Sequence, residues 1–136
     1  MDKAELATLL QDQAPDAVIF AGTNGVIEVW NSAASTLFGF SSDEALGHSL
    51  DLIIPERFRD AHWKGFERAL ADGDTKYRGQ VLPTRSQRKD GTTIYVELTF
   101  AIVKNASGGV IGALAHARDI TERFLKEREQ RQQAQQ

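Results

Sequence analysis

His62 is the side chain of this sequence best placed to do chemistry. It lies in Pro55-Glu56-Arg57-Phe58-Arg59-Asp60-Ala61-His62-Trp63, a stretch that continues to Leu70 with helical spacing. Proline near the front suits a first helical turn, where its missing N–H is no loss. Gly73 suits a C-terminal cap. Along such a helix Phe58, His62, Gly65, Phe66 and Ala69 share one stripe, while Arg57, Asp60, Lys64 and Glu67 point elsewhere. The stripe predicts that the imidazole turns toward the interior. A polar ring there needs a partner, since leaving it unpaired costs about 1–3 kcal/mol. A neighbouring side chain, a backbone carbonyl, a water or a bound metal would each serve.

Other chemistry is hard to build from this chain. It has no cysteine, which excludes disulfides, thiolate metal sites and thiol nucleophiles. His48 follows the helix-stopping Gly47 and reads as a surface loop residue. His116 sits in a strand whose alternation leaves its face undecided. Three histidines so far apart lack metal-ligand spacing. Asp43 and Glu44 read as a first-turn capping pair rather than a catalytic dyad, and Trp30 and Trp63 as packing residues. With no phosphate-binding glycine loop, no Gly-x-Ser-x-Gly and no kinase or cyclase motif, an enzyme is not expected.

The elements that must position His62 follow from pattern. The 136 residues read as one domain with short terminal extensions, and 41% hydrophobic content is enough for a core. Ala4 to Gln13 predicts an amphipathic helix with Leu6, Leu9 and Leu10 on its stripe, either packed on the domain or paired with another copy. Ala17–Ala21 and Val26–Trp30 read as strands around the tight turn at Asn24-Gly25. Asn31 stands at a helix N-cap before Ser32 to Phe38, and Gly39 stops that helix. Ser41 and Glu44 have capping-box spacing for a further short helix. After Gly73 the pattern turns to strands: Tyr77 to Leu82, checked by Pro83; then Thr92 to Val103, with Ile94, Val96, Leu98, Phe100 and Ile102 on one face; then Val110 to Asp119. Turns at Lys89-Asp90-Gly91 and Asn105 to Gly109 separate them. The stretch from Thr121 is helix-forming but has only Phe124 and Leu125 as apolar anchors, so its end frays or continues a coiled coil. Hairpin-linked strands make the sheet antiparallel, with helices on one face: an α+β domain.

A net charge of −3 offers no basic field for nucleic acid. No apolar run is long enough to span a membrane, and Met1-Asp2-Lys3-Ala4-Glu5 lacks the layout of a signal peptide. Both predict a soluble, cytoplasmic chain.

Laid out this way, the chain resembles a PAS domain from about Ala14 to Arg123. Trp30-Asn31-Ser32-Ala33-Ala34 resembles the Asn-x-Ala start of the family's first core helix, and Leu37-Phe38-Gly39-Phe40-Ser41 with Glu44 and Gly47 its next stretch. Lys89-Asp90-Gly91-Thr92 is similar to the hairpin before the long strand. Arg118-Asp119-Ile120-Thr121-Glu122-Arg123 is similar to the exit into the output helix. The resemblance implies a five-stranded antiparallel sheet with helices over one face and a pocket between. It implies sensing and dimerisation rather than catalysis, with signals leaving through Asp119, Ile120 and Thr121 to an effector domain. The expected division is residues 1–13 as an N-terminal helix, 14–119 as the PAS domain and 120–136 as a signalling helix, working as a homodimer through the terminal helices.

The same resemblance bears on cofactors. The light-sensing branch forms a flavin adduct through a cysteine, so covalent flavin is excluded here. Pro55-x-x-x-Arg59-x-x-His62 is similar to the stretch of the haem branch that carries the iron ligand. This implies His62 as the axial ligand of haem b, Arg68 near the propionates, and Leu98 and Phe100 on the gas side. A second propionate residue of the oxygen sensors is replaced by Lys76, still a cation for a carboxylate. A distal arginine is replaced by Leu82, which removes a donor to bound oxygen. The main reading is a PAS sensory and interaction module in which His62 is a core residue, with no cofactor or an unidentified small ligand; the haem-bound gas or redox sensor is its alternative.

Overall fold

The computed structural model describes residues 1–75 and 82–135. In chain order the elements are α1 (Lys3–Asp12), β1 (Ala17–Gly22), β2 (Ile27–Trp30), α2 (Ser32–Phe38), α3 (Ser42–Ala45), two 3-10 turns (Leu50–Ile53 and Glu56–Phe58), α4 (Arg59–Asp72), β3 (Leu82–Gln87), β4 (Thr93–Lys104), β5 (Val110–Asp119) and α5 (Thr121–Ala134). The strands form one sheet in the order β2-β1-β5-β4-β3, with antiparallel pairing throughout. The α+β, five-stranded architecture expected from the sequence is the one found.

Local chemistry explains the boundaries. At the first hairpin Val26 N–H donates to Asn24 Oδ1 at 3.1 Å, and Gly25 sits at φ +77°. Asn31 caps α2 by accepting from Ala34 N–H, and Gly39 ends it in the left-handed region. Ser41 and Glu44 close the reciprocal capping box of α3. Between β4 and β5, Asn105 Oδ1 accepts from the N–H groups of Ser107 and Gly109.

The core lies where the helices meet one face of the sheet. Ala17 and Ile19 of β1 share it with Ile27, Trp30, Ile94, Val96 and Ala117, and Ala34, Phe38 and Ala45 are pressed in from α2 and α3. Phe38 is fully buried against Trp30, ring centroids 5.5 Å apart. The Trp30 indole N–H is satisfied by Ser35 Oγ and the Phe40 carbonyl. Register carries the same face outward along β4 through Leu98, Phe100 and Ile102, opposite Ala117, Ala115 and Ala113 of β5. These three β4 residues are only half-buried. α4 meets β5, and none of its own residues is completely buried.

Three sequence expectations are corrected. The central helix does not begin at Pro55: the proline's ψ of 139° is extended, and Glu56–Phe58 forms a 3-10 turn before α4 starts at Arg59. Phe58 therefore leaves the helical stripe and is 40% exposed. Gly65 also faces open space, while Trp63 joins the inward side. Finally, the strand expected over Tyr77–Leu82 falls largely outside the described residues. What is corrected is the interruption at Pro83: among the described residues β3 runs from Leu82 through Pro83 to Gln87, and its edge position tolerates the missing N–H.

Candidate functional site

The site is built from Asp51 outward. Ser49 Oγ caps the first 3-10 turn by accepting from Asp51 N–H, which fixes that residue. The Asp51 carboxylate accepts from Trp63 Nε1 at 2.8 Å and lies 3.9 Å from Arg59 Nε. Arg59 in turn donates to the carbonyls of Ile54 (3.0 Å) and Asp51 (3.2 Å), so its guanidinium ties the start of α4 back to the preceding turn. On the far side, the Trp63 ring lies over Gly25 of the β1–β2 turn. Two sequence-distant anchors thus hold the first turn and a half of α4.

His62 is oriented by this arrangement. Its ring stands edge-on to Trp63 at 4.7 Å and lies 6.0 Å from Phe66. Nδ1 is enclosed and, among the described residues, has no hydrogen-bond partner. Burial pushes the imidazole below the usual histidine range, because desolvation penalises the cation; the negative charge of Asp51 opposes that shift. Burial therefore favours the neutral ring. A neutral imidazole with an unmet nitrogen is the form that a metal takes as a ligand.

The other residues of interest are less tightly gathered. Leu98 and Phe100 lie on the inward face of β4, half-buried. Arg68 is exposed on α4; six residues on from His62, it projects roughly 120° away around the helix. Lys76 and the side chain of Leu82 lie outside the described residues. His48 is exposed, as its loop position suggested. Register resolves His116: it pairs with Val18 and Thr99 on the outer face and is exposed. Among the described residues no three His, Cys, Asp or Glu gather as a metal site. Nor is any helix among them long and apolar enough to cross a membrane.

At the opposite end of the domain, Asp119, Ile120 and Thr121 form a compact joint. Ile120 is 6% exposed, and its N–H donates to the Tyr95 carbonyl at 2.8 Å. Thr121 Oγ1 accepts from Tyr95 N–H and donates to Asp119 Oδ1, which also accepts from Thr121 N–H. One turn into α5, Phe124 stacks on the Tyr95 ring at 4.0 Å and 19°. The Tyr95 hydroxyl accepts from Arg85 (3.1 Å) and Arg128 (3.4 Å). Sequence reasoning missed Tyr95 as the seat of α5. The available signal was an aromatic at an outward position of β4, one residue out of phase with the apolar face.

Comparison with known proteins agrees with this geometry. The family model described as the PAS fold matches residues 11–124. The chain is 32% identical to the sensor protein FixL of Bradyrhizobium diazoefficiens over 108 residues, covering 79% of this chain and 21% of that protein. It is 26% identical to the oxygen sensor protein DosP of Escherichia coli over 114 residues, covering 84% of this chain and 14% of that one. It thus spans only about a fifth or less of the length of the curated relatives it matches. The crystal structure of a PAS domain from Colwellia psychrerythraea superposes with a TM-score of 0.76 at 22% identity, covering 89% of this chain and 99% of that one. With the motifs, the sheet order and a family match over most of its length in agreement, the chain belongs to the PAS family of sensory domains.

Proposed function

We propose that this PAS sensory domain passes its state to an effector through α1 and α5 and works as a homodimer joined by those helices. The observation that carries the reading is where the helices are rooted. Ala17 of β1 pairs with Ala117 of β5, so α1 enters and α5 leaves at the same end of two adjacent strands. Asp16 and Arg118 link the two roots with a bidentate ion pair at 3.0 and 3.1 Å. Neither helix buries a residue completely. Each is held near one end and free beyond it, which is the form of a lever. Residues 1–13 and 120–136 then act as levers on a sensing body formed by residues 14–119. The α1 stripe supports pairing between copies, with Leu6, Leu9 and Leu10 exposed by 47%, 41% and 64%. The much greater length of the relatives supports an effector domain as the receiver. Light scattering of the chain with and without residues 1–13 tests this: a dimer should become a monomer, and an unchanged mass would reject the interface.

A second reading has its own observation. The enclosed, unpartnered nitrogen of His62 fits an axial ligand to haem, as does the depressed basicity of the ring. The half-buried Leu98 and Phe100 on the inward face fit an apolar wall, and the name of one relative, the oxygen sensor protein DosP, points the same way. Bound haem would supply an iron that takes a diatomic gas or changes oxidation state. The chain's part is to orient His62 through Trp63, which Asp51 holds by its indole N–H, and to favour the neutral ring by burial against the pull of Asp51. The exposed Arg68 is the less favoured residue for a propionate. Hemin titration followed by visible absorption is the test. An intense Soret band is expected from the wild type and its loss or shift from His62→Ala, whereas a flat spectrum would leave His62 a structural residue.

A further inference from the structure

An open groove of about 590 Å³ runs between the second 3-10 turn and the outer face of the β3–β4 hairpin, reaching the α5 joint only through Arg85. Pro55, Glu56 and Arg57 form one wall, and Arg85, Gln87 and Thr93 the other. Arg85 and Gln87 pair with Tyr95 and Thr93, which places them on the same outward face of the sheet.

The charges in this groove are unbalanced. The Arg57 and Arg85 guanidiniums both approach the ring of Phe58, at 4.8 and 5.9 Å from its centroid. Arg85 is also 5.5 Å from the Tyr95 ring centroid, so cation–π attraction to two aromatic rings helps hold it on the groove wall facing Arg57. Among the described residues neither cation has a carboxylate within 4 Å; Arg59, Lys89, Arg118 and Arg123 all do. Glu56 lines the groove but pairs with neither arginine. Among the described residues the Arg57 guanidinium makes no hydrogen bond, and that of Arg85 makes one, to the Tyr95 hydroxyl. The hydroxyl of Thr93 on the same wall is uncommitted there as well. Two guanidiniums with open donors, in a space within the range of small-molecule sites, match a doubly charged oxyanion.

We propose that this groove binds a small molecule through a doubly charged oxyanion held between Arg57 and Arg85, with Thr93 as an additional donor. Phosphate esters and dicarboxylates share that chemistry. Glu56 then sets the affinity by repelling the ligand, so the site is selective for ligands with enough charge to overcome it.

The test is calorimetric titration of the whole chain with pyrophosphate, inorganic phosphate and succinate, each at constant ionic strength so that screening does not vary. Saturable binding of at least one is expected; a preference for the phosphates or for succinate identifies the source. Arg57→Gln and Arg85→Gln should each raise the dissociation constant at least tenfold, about 1.4 kcal/mol. Glu56→Gln, an exposed change that leaves both cations in place, should tighten binding. Lys64→Gln, an exposed cation outside the groove, should leave it unchanged. No saturable binding by any of the three anions would overturn the proposal. So would binding that the arginine substitutions do not weaken and Glu56→Gln does not strengthen.

Discussion

Asn31→Ala is expected to destabilise the domain by about 3 kcal/mol, and its effect begins with four hydrogen bonds made by one buried amide. Asn31 is 2% exposed. Its Oδ1 accepts from Val18 N–H at 2.8 Å and Ala34 N–H at 3.0 Å, and its Nδ2 donates to the carbonyls of Gln11 at 2.9 Å and Asp16 at 3.1 Å. Both lone pairs and both N–H groups of the side chain are used. An N-cap alone is worth about 1 kcal/mol. The alanine variant also strands Val18 N–H in the interior, a loss of about 1–3 kcal/mol. Asn31→Ser keeps an acceptor for the cap but cannot reach back to Gln11 and Asp16, so it should fall between wild type and alanine. Thermal and urea unfolding measure this ladder. For a chain of this size 3 kcal/mol corresponds to a fall in midpoint of roughly 10 °C. A loss below about 1 kcal/mol for alanine would show that water replaces the amide in the interior. The same side chain joins the end of α1 to the core, so amide exchange in α1 should accelerate along with the loss of stability.

Gly25→Ala is the second large effect, and it reaches His62 without touching it. Gly25 has φ +77°, where an alanine is strained by about 1–2 kcal/mol. A methyl built there also overlaps the Trp63 ring at Cη2 and Cζ3. That ring cannot simply step aside, because its N–H is bonded to Asp51 and its faces and edges meet His62 and Phe66. Overpacking against a held ring adds about 1–3 kcal/mol. The total expected loss is about 3 kcal/mol, with a changed tryptophan emission as α4 shifts. A double-mutant cycle separates the two causes. In a Trp63→Ala background the glycine substitution should cost only its backbone strain, about 1–2 kcal/mol. Equal penalties in the two backgrounds would contradict the account of Trp63 as the link between the first hairpin and α4.

These two positions illustrate how unevenly structure is written along the chain. The N-cap role of Asn31 and the turn at Asn24-Gly25 were legible because capping and positive φ are decided within three or four residues. The other half of each role was not. Nothing local tells that the Asn31 amide reaches Gln11 and Asp16, or that Gly25 must lack a side chain to admit Trp63. His62 is divided in the same way. Helical period predicted that it turns inward, but its lack of a partner depends on what surrounds the ring, and that is set by Asp51, Trp63 and Phe66 together.

What the sequence determined by itself was therefore the set of elements, their order, the hairpins that make the sheet antiparallel, and a short list of candidate groups headed by His62. Each rests on periodicity, caps or turns, which act over one or two turns of chain. Tertiary structure alone decided that Phe58 leaves the central helix and meets Arg57 and Arg85, that Tyr95 seats Phe124, and that α1 and α5 are rooted side by side. Apart from that of Phe58 with its neighbour Arg57, those contacts join residues tens of positions apart. Their formation depends on strand register and on the way α4 is tied to Asp51, and a one-residue slip in register would turn Tyr95 and Arg85 to the opposite face.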